Sequence, residues 1–220
     1  MEIATMGSAM SVYAADASSD SNTLKLVLST NDGSTTDDRV PTPWMNHNLA
    51  TSLMFRSLLI ADSSLQETGP DLAESVDMSE DGLTYTFHMN KDAKWSDGTK
   101  VTANDFEFTF QKMATPSVAA TNAWLFDGII ENFSEALYDQ GKKPEEIGVH
   151  AIDEDTLEIK IIHPASYFLE LVSSSAYPVN KAMYEKLGSD YATSETKTVF
   201  NGPFKIESWS QNTEMVLVRN

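Results

Sequence analysis

The side chains best equipped for chemistry in this chain are four histidines, His47, His88, His150 and His163, and three runs of carboxylates, Glu80-Asp81, Glu145-Glu146 and Asp153-Glu154-Asp155. A helical metal site needs imidazoles three or four residues apart on one face. No two of these histidines have that spacing, and His88 falls in a stretch that reads as a strand with its ring facing solvent. Calcium asks for alternate Asp/Asn ligands closed by a distal glutamate, and residues 153–155 lack both, so they read as the solvated tip of a hairpin. Paired acids can cleave glycosides when they flank a bond from two sides, but adjacent carboxylates at a turn diverge. There is no Gly-x-Ser-x-Gly elbow, no phosphate-cradling glycine loop and no His-Glu-x-x-His helix. Absence of cysteine excludes thiolate catalysis, disulfides and cysteine-ligated metals. Asn132-Phe133-Ser134 has the form of a glycosylation sequon and reads as chance. The residues therefore offer no enzymatic constellation, and no catalysis, metal or cofactor is expected.

Composition supports a folded chain: 41% hydrophobic and 10% aromatic residues over 220 positions are ample for a core without covalent staples. The formal charge of −18, from 33 acidic and 15 basic residues, opposes nucleic acid and anionic membranes as partners. No run approaches the roughly 20 apolar residues of a spanning helix. Residues 1–15 look like a shortened secretory signal, small and apolar but with Glu2 where a basic residue belongs, and residues 16–23 read as a polar linker.

The elements that must position any site follow from periodicity. Leu24, Leu26 and Leu28 alternate with Lys25, Val27 and Ser29 as a first strand, and residues 31–42 form a long loop ending near Pro43-Trp44. Leu49, Leu53, Met54 and Leu58 predict a helix over residues 48–59. Tyr85, Phe87 and Met89 alternate with Thr84, Thr86 and His88 as a half-buried strand after the Glu80-Asp81-Gly82 turn. Gly98 closes a second turn behind Trp95. Thr102 and Asp105 form a capping box before Phe106, Phe110 and Met113 at helical spacing. Residues 132–140 carry a weaker helical pattern, 149–152 and 156–162 a hairpin, Pro164 opens a helix with Tyr167, Phe168, Leu171 and Val172 on its apolar side, and 181–187 makes another before Gly188. Trp95 and Trp209 read as core anchors, and Asn201-Gly202-Pro203 as a rigid entry to the next strand. Mixed strands and helices indicate an α/β, or mixed α+β, class.

The string DLAESVDMSEDGLTYTFHMNKDAKWSDGTKVTANDFEFTF, residues 71–110, joins turn, strand, turn and capped helix in an order that closely resembles the bacterial family 5 extracellular solute-binding proteins, which serve peptide and nickel ABC importers. The flanking segments FRSLLIADSSLQETGPDLAES, GKKPEEIGVHAIDEDTLEIKIIHPASYFLEL and FNGPFKIESWSQNTEMVLVRN continue the resemblance, and the second is similar to the oligopeptide-binding branch. Members of this family are far longer, so the resemblance implies an incomplete periplasmic-binding-protein type II-like fold, part of lobe I plus the small accessory domain. It divides the chain into 24–56 as the first segment of lobe I, 57–175 as the accessory domain and 176–220 as the second segment of lobe I, with the C-terminal lobe absent.

What the resemblance implies about function is capture of extended oligopeptides between two lobes and delivery to the permease subunits of an ABC transporter, by a periplasmic or extracellular monomer. A short chain of this kind is expected to bind weakly or not at all. The ligand-contacting residues expected from position are Trp44, Met45 and Asn46, in the loop beside the bound main chain, and Asn122 and Trp124, where an aromatic residue borders the pocket. Trp44 fits a lid over the core equally well. The acidic residue that peptide binders offer in the first loop is not evident near Pro43, and Asn122 stands where a pocket tyrosine is usual. Nickel, heme or oligosaccharide remain alternative ligands of the same fold, and a secreted hydrolase using surface carboxylates is the alternative from another class.

Overall fold

The computed structural model describes residues 23–25, 49–61, 68–210 and 214–220, the side chains of residues 23–25, 49, 50 and 214 excepted. In chain order these residues form β1 (Thr23–Lys25), α1 (Leu49–Met54), β2 (Leu59–Ala61), β3 (Thr68–Pro70), β4 (Ala73–Met78), β5 (Thr84–Met89), α2 (Ala103–Met113), α3 (Phe133–Leu137), β6 (Val149–Asp153), β7 (Thr156–Lys160), α4 (Phe168–Ser175), α5 (Lys181–Leu187), β8 (Phe204–Ser210) and β9 (Glu214–Arg219), with short 3-10 turns between some of them.

The period-two pattern of residues 84–89 does what it implies: Tyr85, Phe87 and Met89 are buried while Thr84, Thr86 and His88 are half-buried on the other face. This strand is an inner member of an antiparallel sheet of order β4-β5-β7-β6, with Phe87 opposite Val76 on one side and Leu157 on the other. The helix α2 covers the apolar face, lying across β6 and β7. Its Phe106, Phe110 and Met113 are buried, and Phe110 meets Phe126 edge-on with ring centroids 4.9 Å apart. Gly82 and Gly98 sit at φ +70° and +87°, where a side chain would be strained, as the two turn positions require. A second antiparallel sheet, β1-β9-β8, is formed by strands from the two ends of the chain, and β2 pairs with β3 beneath α4.

Several sequence expectations shift. The helix expected over residues 48–59 ends at Met54, because Leu59 leaves it to pair with Pro70 in the β2–β3 hairpin. Tyr167 precedes α4 and is half exposed, so the apolar side of that helix rests on Phe168 and Val172 with Leu171 partly buried. The acidic tip is more than a solvated turn: the Glu154 carbonyl accepts the Ala103 N–H at 3.0 Å, and the Asp155 carboxylate takes a short hydrogen bond from Lys100 Nζ. Trp95 is a core anchor as expected, whereas Trp209 is half-buried against the core edge. The strand expected through Leu28 and the long loop of residues 31–42 lie, beyond Lys25, outside the described residues.

Candidate functional site

Of the five expected contact residues, Trp44, Met45 and Asn46 lie outside the described residues. Asn122 and Trp124 share one short 3-10 turn, Ala123–Leu125, which follows α2. The turn points them in opposite senses: Asn122 is buried, while Trp124 is 70% exposed. Burial of an indole is worth ~2 kcal/mol or more, so a tryptophan left in water on a well-anchored turn is the informative exception.

The anchoring is visible residue by residue. Thr115 Oγ1 donates to the Gln111 carbonyl at 2.7 Å, and Pro116–Val118 makes a first 3-10 turn. Ala119 then adopts the left-handed conformation, φ 51° and ψ 44°, which reverses the chain. Ala120, Ala123 and Phe126 are buried, and Phe126 packs on Phe110 and Phe133, the latter with centroids 6.2 Å apart. With three residues per turn, burial of positions 123 and 126 turns position 124 outward.

Two buried carboxylates tie distant parts of the fold together. Asp105 is more than the capping residue its spacing suggests. It accepts from Thr102 N–H at 3.0 Å, Thr102 Oγ1 at 3.3 Å, Trp95 Nε1 at 3.3 Å and Lys181 N–H at 2.9 Å, tying the start of α2 to the start of α5. Burial raises its pKa against the opposing effect of these donors. Thr109 extends the same seam, donating to the Asp105 carbonyl at 2.7 Å and accepting from Val179 N–H at 2.8 Å. Asp71, 5% exposed in its side chain, pairs with Arg56 Nε at 2.5 Å. Burial pushes its pKa up to about 6 although the guanidinium pulls it down. Neither role has a sequence signal beyond the Thr102-Asp105 spacing, because partners such as Lys181 are 76 residues away.

The segment after α1 and the Asn201-Gly202 dipeptide cross in direct contact. Gly202 N–H donates to the Met54 carbonyl at 2.7 Å, and Asn201 Oδ1 accepts from Arg56 N–H at 3.0 Å. Glycine is required by proximity: a Cβ at position 202 would lie 2.5 Å from the Met54 carbonyl carbon. Ser96 adds a third side, accepting Phe200 N–H at its hydroxyl and donating its own N–H to the Phe200 carbonyl.

The remaining titratable clusters lie apart from the Ala123–Leu125 turn. An open depression is lined by Glu74, Ser75, His88, Lys91 and the 153–156 tip, but no group of three or more His, Asp and Glu side chains placed to hold a metal occurs among the described residues. His88 meets Asp77 at 2.9 Å and His150 meets Glu107 at 3.8 Å, each a separate surface pair. No helix among the described residues is long and apolar enough to cross a membrane.

Comparison with known proteins matches this architecture. Residues 67–220 match the family described as bacterial extracellular solute-binding proteins, family 5, middle region. The periplasmic oligopeptide-binding protein OppA of Escherichia coli K12 is 41% identical over 170 residues, covering 76% of this chain and 30% of that protein. The dipeptide-binding protein DppE of Bacillus subtilis is 38% identical over 156 residues, 70% of this chain and 28% of that one. The solved structure of Listeria monocytogenes OppA bound to peptide superimposes with a TM-score of 0.73 at 31% identity, covering 86% of this chain and 36% of that one. The chain belongs to the family 5 bacterial extracellular solute-binding proteins. Its mixed α/β fold is that of the periplasmic-binding-protein type II structures of the OppA kind over part of their length. It spans about 30% of the curated relatives it matches.

Proposed function

We propose that this chain is the peptide-contacting N-terminal portion of the substrate-binding component of an ABC peptide importer, working outside the cytoplasmic membrane and passing peptide to permease subunits. The carrying observation is its identity of 41% over 76% of its length to a protein named for oligopeptide binding. On this reading residues 24–56 and 176–220 belong to lobe I and 57–175 to the accessory domain. The crossing of the segment after α1 with Asn201-Gly202 fits a place where lobe and accessory domain meet.

Peptide capture in this reading is main-chain pairing beside residues 44–46 with side chains falling against the Asn122–Trp124 turn. Trp124 supplies an exposed flat face and Asn122 stiffens its base. No catalytic step is assigned to any residue, and the chain acts as a monomer. With the share of the relatives' length that it spans, the chain by itself binds peptide weakly. Calorimetric titration with defined tri- and tetrapeptides, nickel, heme and an oligosaccharide tests the reading. Heat from the peptides alone, with Kd near millimolar, is the expected result. Tighter binding of nickel, heme or sugar than of any peptide would overturn the ligand class, and submicromolar peptide binding would overturn the weak-binding part.

A further inference from the structure

The 3-10 turn that displays Trp124 leads into an acidic side chain. That turn ends at Leu125 with Phe126 as its cap, and the partly buried Asp127 follows directly, three residues along the chain from Trp124. The Asp127 carboxylate is built into position. Ser134 Oγ donates to Oδ1 at 2.5 Å while accepting Gly128 N–H at 2.9 Å, and Tyr138 Oη donates to Oδ2 at 2.7 Å. Both donors are neutral hydroxyls. Among the described residues no lysine, arginine or histidine nitrogen lies within 4.0 Å of this carboxylate.

Each carboxylate oxygen retains acceptor capacity after one hydrogen bond. The result is an oriented negative charge without a basic partner, bonded to Tyr138, which is 55% exposed, and three residues along the chain from Trp124, which is 70% exposed. The phenol is held by its bond to Asp127, whose hydrogen bond and charge also keep the Tyr138 proton on more tightly than usual. A cation meets complementary chemistry here on two counts: the ring faces attract it through their quadrupoles, and the fixed carboxylate accepts its N–H groups. A planar guanidinium suits the arrangement better than an ammonium, since it can stack on the indole while pairing with both oxygens.

We infer that Trp124, Asp127 and Tyr138 form a subsite for a cationic side chain, arginine above all, of a bound peptide. This rests on the reading of Trp124 as a ligand-facing residue. The site selects charge at one position of the peptide, whereas main-chain pairing is indifferent to sequence.

The test uses the 220-residue chain labelled with nitrogen-15 and follows the Trp124 indole N–H during titration with N-acetyl-arginine amide and with its neutral isostere N-acetyl-citrulline amide. Arginine amide moves the Trp124 resonance, and citrulline amide binds about two- to fivefold more weakly, the ratio an exposed cation–π contact supplies. Asp127→Asn abolishes the difference between the two probes at the Trp124 indole, and Trp124→Leu abolishes it at the backbone amides of Asp127 and Gly128. Tyr138→Phe, which keeps the carboxylate and one ring face, retains most of it and controls for loss of local structure. Equal response to both probes, no response to either, or an unchanged preference in Asp127→Asn overturns the inference. Its failure is separable from that of the transport reading. Peptides that bind at the turn without any preference for arginine sink the cation subsite alone. An arginine response in a chain that binds no peptide leaves the subsite and sinks the transport reading.

Discussion

Replacing Gly202 by alanine tests the close crossing of the Met54–Phe55 and Asn201–Gly202 backbones. The added methyl would sit 2.5 Å from the Met54 carbonyl carbon, 2.7 Å from its oxygen and 2.7 Å from the Phe55 nitrogen. All three are backbone atoms, so no rotamer change relieves the overlap. Restoring ordinary contact requires a separation of about 0.9 Å between the segment after α1 and the 201–203 segment. That movement stretches the 2.7 Å bond from Gly202 N–H to the Met54 carbonyl beyond hydrogen-bonding range, and strains the 3.0 Å bond from Arg56 N–H to Asn201 Oδ1. It also loosens the packing of Phe55 on Phe200, whose ring centroids are 5.7 Å apart. Two hydrogen bonds at ~1 kcal/mol each, with lost packing of similar size, give a destabilisation of about 3–4 kcal/mol. In urea unfolding followed by fluorescence the midpoint falls accordingly, and thermal unfolding drops by roughly 6–16 °C for a chain of this size. A Gly202→Ala protein within about 0.5 kcal/mol of the parent would refute the close crossing.

Further outcomes follow from single residues. Asp105→Ala leaves the buried Trp95 and Lys181 N–H donors without their acceptor and costs about 3 kcal/mol in denaturant unfolding; a loss under 1 kcal/mol would contradict its role as the α2–α5 tie. Ala119→Gly relieves a left-handed alanine and stabilises by about 0.5 kcal/mol, the relief exceeding the added freedom of the unfolded chain; destabilisation would show that the conformation is unstrained. Asp71 binds its proton more tightly folded, at about pH 6, than unfolded, at the ordinary 3.8, so its contribution is greatest at low pH and falls as pH rises from about 4 through 6. With solvent screening this is on the order of 1–2 kcal/mol. Subtracting the urea-unfolding profile of Asp71→Asn from that of the parent between pH 4 and 7.5 isolates it, and a difference that is flat or rises with pH is the contrary result.

The sequence made the inner strand, the turns and the α2 start legible because each has a local cause. Tyr85, Phe87 and Met89 alternate, Gly82 and Gly98 fill positions of positive φ, and Thr102 with Asp105 marks a helix entry. The expected helix over 181–187 coincides with α5, bounded by Asn180, whose side chain accepts Met183 N–H, and by Gly188. What lay hidden depends on distant partners. β4 reads as polar because, as an edge strand, Glu74, Ser75, Asp77 and Met78 all face solvent. β3 consists of Thr-Gly-Pro, residues that argue against a strand, and exists by pairing with β2. The resemblance proposes Asn122 and Trp124 as contact residues; their opposite exposures have no sequence signal and follow from Ala123 and Phe126 reaching the core. The Asp127 constellation has no sequence pattern, since Ser134 and Tyr138 reach it across a turn.

The central claim is that peptide meets this chain at the turn that displays Trp124. Amide and indole nitrogen-15 shifts recorded with a defined alanine-rich tripeptide, added to millimolar concentration, test it most directly. The account predicts a saturable response centred on residues 122–127, accompanied by little change around the acidic depression of Glu74, His88 and residues 153–156. A response centred on that depression, or none at any residue, would contradict it.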